Sequence, residues 1–273
     1  MLEQERALGG PWTETGAVAV DGGVLAYAAC GAGRPLILLH KLGGWIQDWR
    51  ALAEALAGRY RVIAFDLPGH GASATDETAN WAYALGESAS AIAQALSRLG
   101  VDRAAFVGNS LGGCVATQLA ADRPELVEKL VLISCAIGPA ATREKIEAAD
   151  RRSGFYDENE LPIPRDAAVA ARISGTLDVR IAEEMNASRS AAGRWVVRSE
   201  RGVGLADLTG LLPSIAAPVL LVFGGRDTLT DRFEAPVLAG LSDGRSIHIP
   251  DAGRFPHQEQ PGPTAEAIAA FLG

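Results

Sequence analysis

Short apolar runs alternate along the chain with stretches whose apolar residues recur at helical spacing, a rhythm that predicts strands joined by crossover helices. Leu36–His40 (LILLH) is a continuous run suited to a strand buried on both faces. Arg61–Phe65, Ala104–Val107, Leu130–Ile133, Pro218–Phe223 (PVLLVF) and Ser246–Ile249 read the same way. Between them, Trp49–Leu56, Ser88–Leu99, Ser110–Ala121 and Thr264–Leu272 predict helices; the first two stop at Gly58 and Gly100, the third before Pro124. Near the start, Ala17–Val20 and Val24–Cys30 flank Asp21-Gly22-Gly23, the signal of a hairpin.

The rhythm breaks from about Gly138 to Pro213. That stretch is rich in Arg, Glu, Asp and Ala, carries Pro162 and Pro164, and shows no strand-like run. It is too long for a loop and reads as a few helices inserted into the strand–helix series. The expected organisation is therefore α/β: a core over 1–137 and 214–273, mostly a parallel sheet with helices on both faces, and a helical cap over 138–213.

Composition narrows the class. A chain of 273 residues with 48% hydrophobic residues can bury one large core. A net charge of -8 argues against a nucleic-acid partner. No apolar stretch has the length of a membrane span, and Met1–Trp12 does not read as a signal peptide, so a cytoplasmic protein is expected. The three cysteines, Cys30, Cys114 and Cys135, are far apart and read as reduced and buried. The four histidines lack ligand spacing, and no phosphate loop or dinucleotide fingerprint is present; no cofactor or metal is expected. The partner is a small-molecule substrate, and the oligomeric state is not legible.

The sharpest motif is Gly108-Asn109-Ser110-Leu111-Gly112-Gly113, between a strand-like run and a helix-like one. G-x-S-x-G in that setting is a nucleophile elbow, with Ser110 on a strained turn between glycines. Ser110 then sits at a helix N-terminus, where the N–H of Leu111 faces a developing oxyanion. Asn109, beside it, is expected to line the pocket.

On these residues the chain resembles the α/β-hydrolase superfamily over nearly its whole length. His40-Lys41-Leu42-Gly43-Gly44 is similar to the family's oxyanion loop, Asp66-Leu67-Pro68-Gly69-His70-Gly71-Ala72-Ser73 to its D-x-P-G-H-G-x-S segment, and the strand ending Gly224-Gly225-Arg226-Asp227 to the one that carries its triad acid. The resemblance implies Ser110 as nucleophile, Asp227 as acid, and the Leu42 and Leu111 N–H groups as oxyanion donors.

Two positions depart from that pattern. When the C-terminal segment is anchored on Glu259 and Pro261, the family's catalytic His falls on Arg254, and Lys41 stands where the family has Gly. Arginine stays protonated and cannot activate a serine. His257, three residues on, is one candidate for a displaced base; Lys41 is another if desolvated, or else a solvated lysine at the cleft mouth. Lys41 is also expected in the substrate pocket. Arg254 either pairs with Asp227 or binds a substrate carboxylate, enolate or oxyanion. By the resemblance His40 and His70 are structural, and His248 reads as a core or edge residue of the last strand. Among Arg172, Arg180, Arg189, Arg194 and Arg198, one or two could face the cleft, the rest being surface charges.

Three functions stay open: a serine hydrolase of a small carboxylic ester or lactone with an atypical triad; a lyase, cyclase or C–C bond-cleaving enzyme that uses Arg254 and Lys41; and a catalytically disabled ligand-binding protein.

Overall fold

A computed structural model describes residues 9–76, 80–176 and 178–273; the segment Met1–Trp12, expected not to be a signal peptide, lies up to Leu8 outside the described residues. The strands are β1 (Glu14–Val20), β2 (Gly23–Cys30), β3 (Arg34–Leu39), β4 (Tyr60–Phe65), the two-residue β5 (Ala74–Thr75), β6 (Ala104–Asn109), β7 (Val127–Ile133), β8 (Val219–Gly224) and β9 (Gly244–Ile249). They form one sheet in the order β1-β2-β4-β3-β6-β7-β8-β9, with β5 beside β2. The pairings from β4 through β3 to β9 are all parallel; β2 is antiparallel to its neighbours.

The core helices are α1 (Arg50–Leu56), α2 (Leu85–Arg98), α3 (Leu111–Asp122), α8 (Leu208–Leu211), α9 (Glu234–Gly240), α10 (Pro256–Glu259) and α11 (Pro261–Leu272). Between β7 and α8 run α4 (Arg143–Ser153), α5 (Ala167–Ser174), α6 (Val179–Ala192) and α7 (Trp195–Leu205). The continuous apolar strands are explained by burial on both sides. Ile37 and Leu39 of β3 face a core with Ile92 and Leu96 of α2 and Val115 and Leu119 of α3. Leu36 and Leu38 face the opposite core with Leu52 and Leu56 of α1 and Ile268 and Leu272 of α11. Neighbouring positions point to opposite faces, so both must be apolar.

The strands outrun the apolar patterns. β7 begins at Val127 because Glu128 and Lys129 lie on its half-exposed entrance, where the apolar run has not started. Leu208, Leu212 and Ile215 belong to the same core as Val115 and Leu119, although the first two lie inside the predicted cap span.

The connections place the cleft. From β3 the chain crosses to β4 on one side, and β6 then lies on the other. This reversal leaves a crevice at the carboxyl ends of β3 and β6, the place where open α/β sheets take ligands. Leu39 and Gly108 are register partners there, so the two following loops start side by side.

Candidate active site

Ser110 leaves β6 at φ 51° and ψ -113°, a conformation that non-glycine residues rarely adopt and that carries strain of about 1–3 kcal/mol. The surrounding backbone enforces it. The Ser110 N–H donates to the Ile133 carbonyl at 3.1 Å, and Asn109 Nδ2 donates to the same oxygen at 2.8 Å. A Cβ at Gly112 would lie 2.0 Å from the Leu39 carbonyl oxygen, and one at Gly108 2.4 Å from the Gly113 nitrogen. Only glycine lets the helix start this close to β3.

The loop after β3 is aimed by His40. Its Nε2 accepts from the Leu67 N–H at 2.9 Å, so Nδ1 carries the proton and donates to the Lys41 carbonyl at 2.7 Å. Burial holds this imidazole neutral, well below the ordinary histidine range. The Gly44 N–H donates to the same carbonyl at 2.8 Å. Because the peptide is planar and trans, fixing the Lys41 C=O points the Leu42 N–H the opposite way. The Gly112 N–H then ties this loop to the elbow through the His40 carbonyl at 3.0 Å. The Leu42 and Leu111 N–H groups have no backbone acceptor among the described residues, and both residues line the cleft with Ser110 and Asn109.

The cleft encloses about 500 Å³. It is lined by loops that follow the strands and by residues between β7 and α8, among them Phe155, Ile163, Arg165, Ile173, Met185 and Arg189. Among the described residues no group of His, Cys, Asp or Glu is arranged to hold a metal ion.

Asp227 follows β8 and is buried. Its Oδ1 accepts from the Leu229 and Thr230 N–H groups at 3.0 and 3.1 Å, and its Oδ2 from the Thr230 hydroxyl. Thr230 was not singled out by sequence, yet it holds this carboxylate. Arg254 stands in the loop between β9 and α10. Glu259 accepts the Gly253 and Phe255 N–H groups at 3.0 and 3.2 Å, and the Arg254 N–H donates to the Ser174 carbonyl at 3.0 Å.

The Arg254 side chain lines the cleft, and of its two expected roles the ion pair with Asp227 does not form: among the described residues no salt bridge reaches its guanidinium, and its Nε is buried without a partner. Thr230 and the loop amides hold Asp227 instead. Burial lowers the Arg254 pKa, and the Asp227 charge opposes this; a guanidinium starts so high that it stays a cation.

His257 is not brought to Ser110. It lies on α10, fully buried, its ring 4.4 Å from that of Trp49. Neither ring nitrogen has a hydrogen-bond partner among the described residues, and the residue is not among those that line the cleft. Burial, then the Lys41 charge, hold it well below the ordinary histidine range. Lys41 is not a solvated lysine at the mouth. Its Nζ lies 2.5 Å from Asp48 Oδ2, with both side chains buried, and 5.2 Å from the Phe255 ring centroid. That contact commits the Lys41 Nζ to Asp48.

Of the arginines that the sequence singles out between β7 and α8, Arg189 lines the cleft; Arg172, Arg180 and Arg194 are exposed, and Arg198 packs on Trp195. Arg165 and Arg232 also line the cleft and were missed. His248 is an exposed residue of β9 whose Nε2 is 2.9 Å from Glu234. All three cysteines are free and buried.

A sheet whose switch-point crevice holds a strained serine beside two free N–H groups is the architecture of a hydrolase. The chain belongs to the α/β-hydrolase fold family, whose profile matches residues 34–261. It is 31% identical over 261 residues to a pimeloyl-[acyl-carrier protein] methyl ester esterase of Edwardsiella ictaluri, covering 90% of this chain and 96% of that one. It is 29% identical to the esterase Rv0045c of Mycobacterium tuberculosis, covering 93% and 88%. The solved structure of Est816, an N-acyl homoserine lactone degrading enzyme, superposes with a TM-score of 0.76 at 27% identity, over 94% of this chain and all of that one.

Proposed function

We propose that this hydrolase cleaves a small carboxylic ester or lactone through Ser110, with Arg254 standing where a catalytic histidine is expected. The observation that carries the reading is the strained Ser110 in the cleft, flanked by the free N–H groups of Leu42 and Leu111. The sheet and core helices, α8 included, act as the catalytic core, and α4–α7 with their loops as the cap that shapes the pocket. The named activities of the esterase and lactonase relatives support the same substrate class.

In this reading Ser110 Oγ attacks the carbonyl carbon, and the carbonyl electron pair moves to an oxygen held by the Leu42 and Leu111 N–H groups. The Oγ proton passes to water or hydroxide in the cleft, because Arg254 has no lone pair to receive it, His257 is buried outside the cleft lining, and Lys41 is paired with Asp48. Collapse breaks the C–O bond, and the departing alkoxide takes a proton from water, which frees the alcohol or opens the ring. Water then releases the acyl group. Asp227 is not among the residues that line the cleft and acts on it only through its charge near Arg254.

The unpaired Arg254 also favours a second reading, in which its cation stabilises an enolate in a non-hydrolytic reaction. A fluorophosphonate probe separates the two. Mass spectrometry is expected to place the label on Ser110, and Ser110→Ala should abolish both the labelling and the release of an acyl-enzyme burst from an activated ester. An unlabelled Ser110, with an activity that needs Arg254, would favour the second reading.

A further inference from the structure

One wall of the cleft carries positive charge that the described residues neutralise only in part. Arg165 precedes α5, Arg189 lies on α6 and Glu200 on α7, and all three line the same cavity. Arg165 is held in place: its N–H donates to Asn186 Oδ1 at 3.3 Å, Asn186 Nδ2 donates back to its carbonyl at 2.6 Å, and its guanidinium carbon lies 3.5 Å from the Phe155 ring centroid. The aliphatic stem of Arg189 rests on Gly43 of the loop after β3, where an added Cβ would come within 2.5 Å of its Cγ.

The two cations share a single carboxylate. Glu200 accepts a hydrogen bond from the Tyr156 hydroxyl, and burial raises its pKa, weakening its hold on a negative charge. Burial and then the Arg189 charge pull Arg165 down, so the two guanidiniums feel each other. No carboxylate lies within 4.0 Å of either guanidinium among the described residues. The next residue along α7 shows what a satisfied arginine looks like here: Arg201 pairs with Asp150 at 2.8 Å and Glu160 at 2.6 Å. A cation left partly dehydrated retains a demand for an anion, and a guanidinium fork fits a carboxylate.

We propose that Arg165 and Arg189 form a carboxylate subsite in that wall of the cleft, so that the substrate is an ester or lactone bearing a second, anionic acid group. This rests on the ester-hydrolase reading and adds the substrate's charge to it. The apolar lining contributed by Ala170, Ile173, Met185 and Val203 suits the carbon chain that would span the subsite and Ser110.

The test is calorimetric binding to the Ser110→Ala protein, which removes catalysis from the question. Monomethyl glutarate is expected to bind about tenfold or more tightly than dimethyl glutarate. Arg165→Gln with Arg189→Gln should erase that preference, and Arg189→Lys should keep part of it. Unchanged melting of each variant verifies folding. Equal binding of the two esters would overturn the proposal. So would a preference that survives the double substitution but is lost in Arg254→Gln, or stronger competition by inorganic phosphate than by glutarate. Failure of Ser110 labelling in the native protein would sink the serine-hydrolase reading while leaving these binding results standing.

Discussion

Arg254→His is expected to raise turnover of an activated ester by about 10²- to 10⁴-fold, the usual contribution of a placed general base. The backbone at this position is already anchored without the arginine side chain. Glu259 holds the amides on either side, and the Arg254 N–H bonds to Ser174. A histidine there inherits a fixed Cα on the rim of the cleft that holds Ser110. Asp227 has accepted three hydrogen bonds, from two amides and the Thr230 hydroxyl. A carboxylate offers about four lone-pair sites, so one remains for an imidazole N–H. Adding Asp227→Asn to the histidine variant should remove most of the gain, as a base without its orienting acid does. Steady-state kinetics on one activated ester checks both steps, and an unchanged rate in Arg254→His would show that residue 254 does not reach Ser110.

The second large effect is on stability. Lys41→Met should destabilise the fold by about 3–5 kcal/mol, because it leaves the Asp48 carboxylate buried without its counter-charge. For a domain of this size that is a fall in Tm of roughly 6–20 °C. The remaining Asp48 contact, from the Trp45 N–H at 3.4 Å, is too long to compensate. Replacing both partners, as Lys41→Met with Asp48→Leu, should recover most of the loss, since a buried pair can often be exchanged for apolar groups. Thermal melts of the two variants decide it. A neutral Lys41→Met would mean that the pair is hydrated and contributes little.

Local chemistry was the legible part of this chain. The β3 and β6 runs betray strands because both faces are buried, and Gly108 and Gly112 betray the elbow because the tight turn leaves no room for a Cβ. What escaped depended on partners distant in space. Arg254 looked like a match for Asp227, but Thr230, three residues after the aspartate, holds that carboxylate first. His257 is close to Arg254 in sequence, yet α10 turns it under Trp49 and out of the cleft. Lys41 looked like a surface residue because nothing local signals that the short turn over Ile46–Trp49 brings Asp48 back to it. The cap was hardest: Arg165 faces the cleft only because Asn186 and Phe155 hold it there, and no periodicity marks that arrangement.

The account turns on a serine poised for attack beside a position that lacks a base. Its most direct test is the pH dependence of Ser110 acylation, followed as the single-turnover release of nitrophenol. Without an imidazole, the rate is predicted to rise about tenfold per pH unit through the neutral range with no plateau, following hydroxide. A plateau with a midpoint near the ordinary histidine pKa of about 6.5, or no acylation at any pH, would contradict it.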